Sequence, residues 1–175
     1  RVMKIGTGHP DGLAIGVTSR CPEEILEMTD TADEILPSWL VGFDGALWNG
    51  PSGAWDTSDW NSSHLQEGDE VEFVVGVHSV QVYVNSVEVL SWLVSIPGDT
   101  DLFALIDLLG NTDAVQLVLA KPLHADASEQ LAGKPRGAST VQPVRRWCAQ
   151  TTGASITLSA DGLIARHIDR ADMLS

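Results

Sequence analysis

Acidic side chains are the residues of this sequence that could do catalytic chemistry. Four of them stand out as candidates for an acid/base pair: Asp44, Asp56, Asp59 and Glu72. Glycoside hydrolysis needs two carboxylates at a set separation, one of them with a raised pKa. The sequence shows many carboxylates but no pairing, so we favour a solvated acidic surface. The histidines are scattered and neither cysteine lies in a catalytic or metal-binding motif. We therefore expect no enzyme activity, no metal and no cofactor.

Tryptophan is unusually frequent, since it accounts for six of the ten aromatic residues. Residues 51–66 are rich in Ser, Asp and Gly, and we predict a polar loop there that nevertheless contains Trp55 and Trp60. Rings in such a loop either fold back onto the core or bind a partner. Aromatic anchors beside carboxylates suit a peptide that carries an apolar and a basic residue. The candidate partner-binding residues are Asp44, Trp48, Asn49, Trp55, Asp56 and Trp60.

A carbohydrate-binding function would use the same residue types. A lectin-like sandwich would stack sugars on Trp55 and Trp60 and hydrogen-bond them through Asp and Asn side chains. Cys21 and Cys148 lie far apart in the sequence and form no disulfide framework of the kind found in small secreted domains. This disfavours a secreted lectin, but the residues alone do not separate the two functions.

The charge is concentrated in the first two thirds of the chain. The formal net charge is −14, and residues 1–120 carry 19 acidic and 3 basic residues, whereas residues 121–175 carry 5 acidic and 7 basic ones. An acidic main body argues against a nucleic acid or an anionic membrane as the partner. It suits a protein or peptide, especially a basic one, although much of the charge serves solubility.

The elements that would position these residues are strands. Four alternating or apolar runs lie between residues 68 and 119, at residues 71–75, 80–84, 102–109 and 114–119, and turn sequences such as Gly110-Asn111-Thr112-Asp113 separate them. Further strands are predicted at residues 2–5, 13–18, 39–42 and 46–48, with one helical turn near residues 22–26. Short strands joined by turns predict an all-β fold, an antiparallel β-sandwich.

Three motifs resemble the Neuralized homology repeat, a family related to the SPRY domains with a concanavalin-like jelly roll. They are Gly12-Leu13-Ala14-Ile15-Gly16-Val17-Thr18 followed by Pro22, Gly68-Asp69-Glu70-Val71 followed by Val82-Tyr83-Val84-Asn85, and Phe103-Ala104-Leu105-Ile106-Asp107-Leu108 followed by Gly110. The chain departs from the family pattern at Glu72, Ser86 and Leu109. Asp107, an acid within an apolar run, is interpreted as structural, either at the end of its strand or hydrogen-bonded to a neighbouring loop.

The C-terminal segment contains the motif Gly153-Ala154-Ser155-Ile156-Thr157-Leu158-Ser159-Ala160-Asp161-Gly162-Leu163-Ile164-Ala165-Arg166. This motif resembles the opening, not the end, of such a repeat. Residues 1–120 are predicted to form the main part of one sandwich, residues 121–146 a linker rich in Ala, Gly, Ser and Pro, and residues 147–175 the opening strands of a repeat. We expect residues 156–158 and 163–165 to pair with the main sheets, either within the chain as in a circularly permuted repeat or in a strand-swapped homodimer. The chain also begins in mid-pattern without Met, so we expect a fragment of a tandem array.

The resemblance implies a protein-protein interaction module. Members of this family recruit substrates or partners in ubiquitin-ligase systems, and multi-repeat relatives act as centriolar scaffolds. The implied location is cytoplasmic or centrosomal. The sequence has no RING-type cysteine pattern, so the resemblance implies a recruiting role and not ligase catalysis.

Overall fold

A computed structural model describes residues 1–6, 9–25, 29–76, 78–108, 110–118, 156–161 and 163–167. The strands are β1 Val2–Ile5, β2 Ala14–Thr18, β3 Ser38–Gly42, β4 Ala46–Asn49, β5 Ala54–Thr57, β6 Val71–Val75, β7 Ser79–Val84, β8 Val87–Leu93, β9 Phe103–Asp107, β10 Thr112–Gln116, β11 Ile156–Leu158 and β12 Ile164–His167. The helical elements in the described residues are 3-10 helices at Pro22–Glu24, Ala32–Glu34, Gly50–Ser52 and Ser62–His64. The predicted turn near residues 22–26 is therefore present, although Leu26 lies outside the described residues.

The strands form three antiparallel sheets. The front sheet has the order β5-β4-β3-β2-β9, the hairpin sheet β6-β7-β8, and the tail sheet β1-β10-β12-β11. The backbone N–H of Val2 donates to the carbonyl of Asp69 at 2.8 Å, and the N–H of Gly68 donates to the carbonyl of Val2 at 2.9 Å. Because Asp69 lies just before β6, these bonds connect β1 of the tail sheet to the start of the hairpin sheet.

The core lies between the front sheet and the other two. In β7, for example, period-two alternation places Val80 and Val82 inward. Val41 and Leu47 of the front sheet pack against Val82 and Leu90 of the hairpin sheet. A second cluster contains Val2, Leu13, Leu65, Leu108, Val115 and Ala165. The predicted all-β antiparallel sandwich is confirmed. No helix in the described part of the chain is long and apolar enough to cross a membrane.

The C-terminal strands complete the tail sheet within the same chain. In β12, Ala165 lies opposite Val115 of β10, and β11 pairs with β12 as a hairpin. Ala165 is only 3% exposed and belongs to the cluster around Leu13. The predicted supply of opening strands from the C-terminal segment is confirmed. The linker at residues 121–146 lies outside the described residues, and the domain boundaries stay predictions.

The motif residues contact one another across the hairpin sheet. Asn85 accepts from the backbone N–H of Glu70 at 3.0 Å and donates through its amide to Asp69 at 2.8 Å. Asn85 and Ser86 both have positive φ, 51° and 70°. Two such residues make the tight turn that matches strand twist, so β7 and β8 form a hairpin without the family's glycine at Ser86. The polar residue Asp107 accepts from the backbone N–H of Ala32 at 2.9 Å, as its structural interpretation predicted.

Two strands are missing from the sequence prediction. β8 was not recognised, because the bulge between Val82 and Tyr83 in its pairing with β7 breaks the alternation. The prediction of a loop at residues 51–66 is wrong for Ala54–Thr57, which form β5. All four residues of β5 are exposed, so the strand has no apolar periodicity to reveal it. Trp55 therefore lies on a strand paired with β4 and not in a loop.

Candidate partner-binding surface

The centre of the candidate surface is a pair of tryptophans on the outer face of the front sheet. Trp48 of β4 lies directly opposite Trp55 of β5, so both side chains leave the same face. Their ring centroids are 4.7 Å apart and their planes are inclined by 37°. Trp48 is 9% exposed, whereas Trp55 is 49% exposed. The exposed ring therefore rests on a buried one.

The sequence folds so that Trp48 is rigid. Its indole N–H donates to the hydroxyl of Ser38 at 3.2 Å, and its ring belongs to a buried cluster with Ala32 and Leu40. Ala32 belongs to the 3-10 helix Ala32–Glu34, which is held against this face by the hydrogen bond from the Ala32 N–H to the Asp107 carboxylate. A Trp with its polar group satisfied and its ring packed is a firm support. Trp48 was predicted as a binding residue, but the structure places it beneath Trp55, with little ring left to touch a partner.

Phe43 is a third ring at this surface, and sequence analysis missed it. Its ring centroid lies 6.3 Å from that of Trp55, with the planes at 60°. The backbone of Phe43 is left-handed, with φ 53°, an arrangement that costs a bulky residue about 1–3 kcal/mol. Its N–H donates to the carbonyl of Leu13 at 3.0 Å, and its carbonyl accepts from the N–H of Gly12 at 3.0 Å. These bonds hold the strained conformation that brings the ring to Trp55.

The glycines on either side of Phe43 were the available signal. Gly42 has φ 136° and Gly45 has φ 107°. A side chain at Gly42 would also collide with the backbone of Leu13. The conformation of an aromatic residue between two such glycines is set by the turn and not by the backbone preference of that residue. The pattern Gly42-Phe43-Asp44-Gly45 therefore indicates a turn that fixes the position of the Phe43 ring.

Trp60 does not belong to this surface. It is half-buried and packs against both the cluster around Leu13 and the cluster around Val82. Trp60 lies in the predicted loop after β5. Of the two alternatives for a ring in this loop, the structure shows the one in which it turns inward and fills the space between the sheets. The carbohydrate-binding interpretation needed Trp55 and Trp60 as two stacking faces, and the structure leaves it one.

The polar candidates divide by position. Asp44 and Asp56 are exposed. Asp56 lies opposite Leu47, so its side chain leaves the face opposite to that of Trp55, and its Oδ1 accepts from the N–H of Thr57 at 2.8 Å. Asn49 is half-buried at the end of β4, and its carbonyl accepts from Ser52. The structure thus brings together Trp48, Trp55 and Phe43, with carboxylates at the margin, and leaves Asn49 and Trp60 out.

Shifted pKa values are found on the hairpin sheet and near the N-terminus. Burial and a hydrogen bond to Glu88 raise the pKa of the Tyr83 phenol on the hairpin sheet. A hydrogen bond from Arg1 lowers the pKa of Glu70. Among the described residues no group of His, Cys, Asp and Glu is placed to hold a metal ion.

Residues 1–119 match the model of the Neuralized family. The chain belongs to the Neuralized family. The Neuralized domain is a protein-interaction domain, a binding module that is not typically catalytic. No curated protein matches the chain. In this Neuralized domain β11 and β12 lie beyond the matched residues, yet they complete the tail sheet.

Proposed function

We propose that this Neuralized domain recruits a protein partner through the outer face of the front sheet, with Trp55 as the anchor. One observation carries the proposal: Trp55 is half-exposed while its ring rests on the buried ring of Trp48. Trp is the residue type most enriched among those that dominate binding energy, and it works best when its position is fixed before binding. The support from Trp48 and Phe43 supplies that fixation.

The charge of the domain supports a basic partner. Residues 21–120 contain no Lys or Arg and many carboxylates. Asp44 precedes β4 and Asp59 follows β5, so both lie near the same end of this strand pair. At that end the N–H of Ser58 donates to the carbonyl of Gly45 at 2.8 Å. Charges at the rim of an interface steer association and select partners more than they add affinity. A partner with an apolar residue and nearby Lys or Arg fits this surface.

Within the cell we propose a recruiting role in a ubiquitin-ligase system or a centriolar scaffold, in the cytoplasm or at the centrosome. This finer assignment is supported by the family of the chain and by the absence of a disulfide framework in its sequence.

A strand-swapped homodimer would use the β10–β12 register between two copies and would elute at twice the monomer mass in size-exclusion chromatography.

The test is affinity capture with paired variants. Trp55→Ala removes the anchor, and Leu93→Ala, at a side chain 85% exposed on the hairpin sheet, is the matched control. We expect proteins captured by the wild type and by Leu93→Ala to be lost with Trp55→Ala, and each is then confirmed as a purified protein. Equal capture by Trp55→Ala contradicts the proposal. Binding to a glycan array that requires Trp55, with no protein captured, would instead favour a lectin.

A further inference from the structure

Strand β5 lies at the edge of the front sheet. It pairs with β4, and no other strand in the described part of the chain borders it. An edge strand presents unpaired backbone groups that can pair with an added strand. Whether β5 can do so depends on which of its N–H and C=O groups face outward.

The register settles which groups face outward. The N–H of Ser58 donates to the carbonyl of Gly45 at 2.8 Å, in line with the β4–β5 register. In an antiparallel pair, hydrogen-bonded and non-hydrogen-bonded positions alternate. Asp56 and Ala54 therefore direct their backbone groups toward β4, while Trp55 and Thr57 direct theirs toward the open edge.

The two outward positions differ in their present partners. The N–H of Thr57 donates to the side chain of Asp56 at 2.8 Å, which covers one donor of the edge with a carboxylate. No hydrogen bond within the described residues engages the outward backbone groups of Trp55. The free backbone groups and the exposed ring thus belong to the same residue.

The geometry points to binding by strand addition: we infer that an extended peptide segment of the partner pairs with the open edge of β5, placing an apolar side chain on Trp55 and an adjacent Lys or Arg beside Asp56. This inference rests on the proposed function and specifies how the same surface takes its partner. Main-chain bonds supply affinity in such complexes, and alternate side chains supply specificity.

The arrangement dictates the order of side chains in the peptide. A residue opposite Trp55 in an added strand leaves the same face as the ring, and its neighbour leaves the face of Asp56. When a peptide carbonyl accepts from Thr57, the Asp56 carboxylate is released and can pair with a basic neighbour. Asp44 and Asp59 add to the negative potential at this end. An apolar residue next to Lys or Arg is therefore selected, and Glu at the basic position is rejected.

The test uses the full 175-residue chain and peptides selected on it from a random display library. Amide hydrogen exchange by NMR reads the backbone directly. In the free protein the Trp55 amide exchanges quickly while those of Ala54 and Asp56 are protected, and saturation with a selected peptide slows Trp55 exchange by about tenfold or more. We expect the selected peptides to carry the apolar–basic pair and to bind at least about tenfold more weakly with Glu for Lys.

Two variants at one position separate the backbone from the side chain. Thr57→Pro removes an outward N–H at a position where an edge strand tolerates proline, and Thr57→Val keeps it. We expect loss of peptide binding with Thr57→Pro and retention with Thr57→Val. Unchanged binding by Thr57→Pro, or a Trp55 amide that still exchanges freely in the complex, overturns strand addition. If strand addition is overturned but Trp55→Ala still abolishes binding, the proposed function stands. If Trp55→Ala binds normally, the proposed function itself is contradicted. Failure of the library to yield any binder also overturns the inference, and the exchange data decide the matter if Thr57→Pro does not fold.

Discussion

The ring of Trp55 lies 4.7 Å from the ring of Trp48, centroid to centroid, and the two rings differ about fivefold in exposure. One ring of the stack belongs to the buried cluster on the outer face of the front sheet, and the other is exposed to solvent. Trp48 is fixed by Ser38 and the cluster around Leu40, and its ring supports that of Trp55. Two residues of the same type, facing each other across two strands, therefore have different roles.

These roles predict different costs of truncation. Trp48→Ala opens a cavity in a packed cluster and should lower the free energy of unfolding by about 3–5 kcal/mol. Trp55→Ala removes a half-exposed ring and one ring contact, at a cost of about 1 kcal/mol. Denaturant unfolding measures both. Equal losses for the two variants would show that Trp55 is part of the core and would contradict the division.

The strained backbone of Phe43 predicts an inversion of the usual order of Ala and Gly. Glycine normally destabilises folded structure relative to alanine, but at φ 53° alanine keeps the steric penalty and glycine does not. Phe43→Gly should therefore be more stable than Phe43→Ala by about 1 kcal/mol. Both lack the ring, so the difference between their melting curves isolates the backbone. An alanine variant as stable as the glycine variant would contradict the left-handed assignment.

Sequence patterns predicted the sandwich because its buried faces repeat with a period of two. β6 and β7 alternate aliphatic residues such as Val82 with polar ones, whereas β2 and β3 are visible as short apolar runs. β5 has no buried side chain, so its pairing with β4 leaves no hydrophobic signature. Pairing across an exposed edge is decided by backbone bonds that every residue can make.

The candidate site was predicted in part for the same reason. Trp48, Trp55, Asp44 and Asp56 were selected by residue type, and the structure groups them around one strand pair. Residue type does not say which way a ring turns, so Trp60 was assigned to the surface while it packs inward. Phe43 was missed because its position depends on a left-handed turn held by Gly12 and Leu13.

The single tyrosine offers a pH test of the hairpin sheet. Burial is the main cause of the raised pKa of Tyr83, followed by its hydrogen bond to Glu88. Because the folded pKa exceeds the unfolded one of about 10, the associated stability is complete below that pH and is lost as pH rises through the folded pKa. Tyrosinate absorbance should report the raised pKa in the native protein. Glu88→Gln should lower it only partly, since burial remains; no change would contradict the contact.

The C-terminal strands should be part of the folding unit. Ala165 is buried against Val115 and Leu13, whereas Thr157 on β11 is exposed. Ala165→Asp should destabilise the protein by more than about 2 kcal/mol because it places a carboxylate in the core. Thr157→Asp, the matched control, should change stability by less than about 0.5 kcal/mol. Deletion of residues 147–175 should lower the melting temperature, and a truncated chain of unchanged stability would show that the strands contribute nothing.

The central claim is that Trp55 is the residue on which partner binding depends. Its most direct test is isothermal titration of the purified partner with the wild type, Trp55→Ala, Trp55→Phe and the control Leu93→Ala, all confirmed as folded. We expect Trp55→Ala to weaken binding by about 30-fold or more, equivalent to about 2 kcal/mol. Trp55→Phe should fall between, because it keeps a smaller ring on Trp48, and Leu93→Ala should bind as the wild type does. A Kd for Trp55→Ala within about twofold of the wild-type value would contradict the claim.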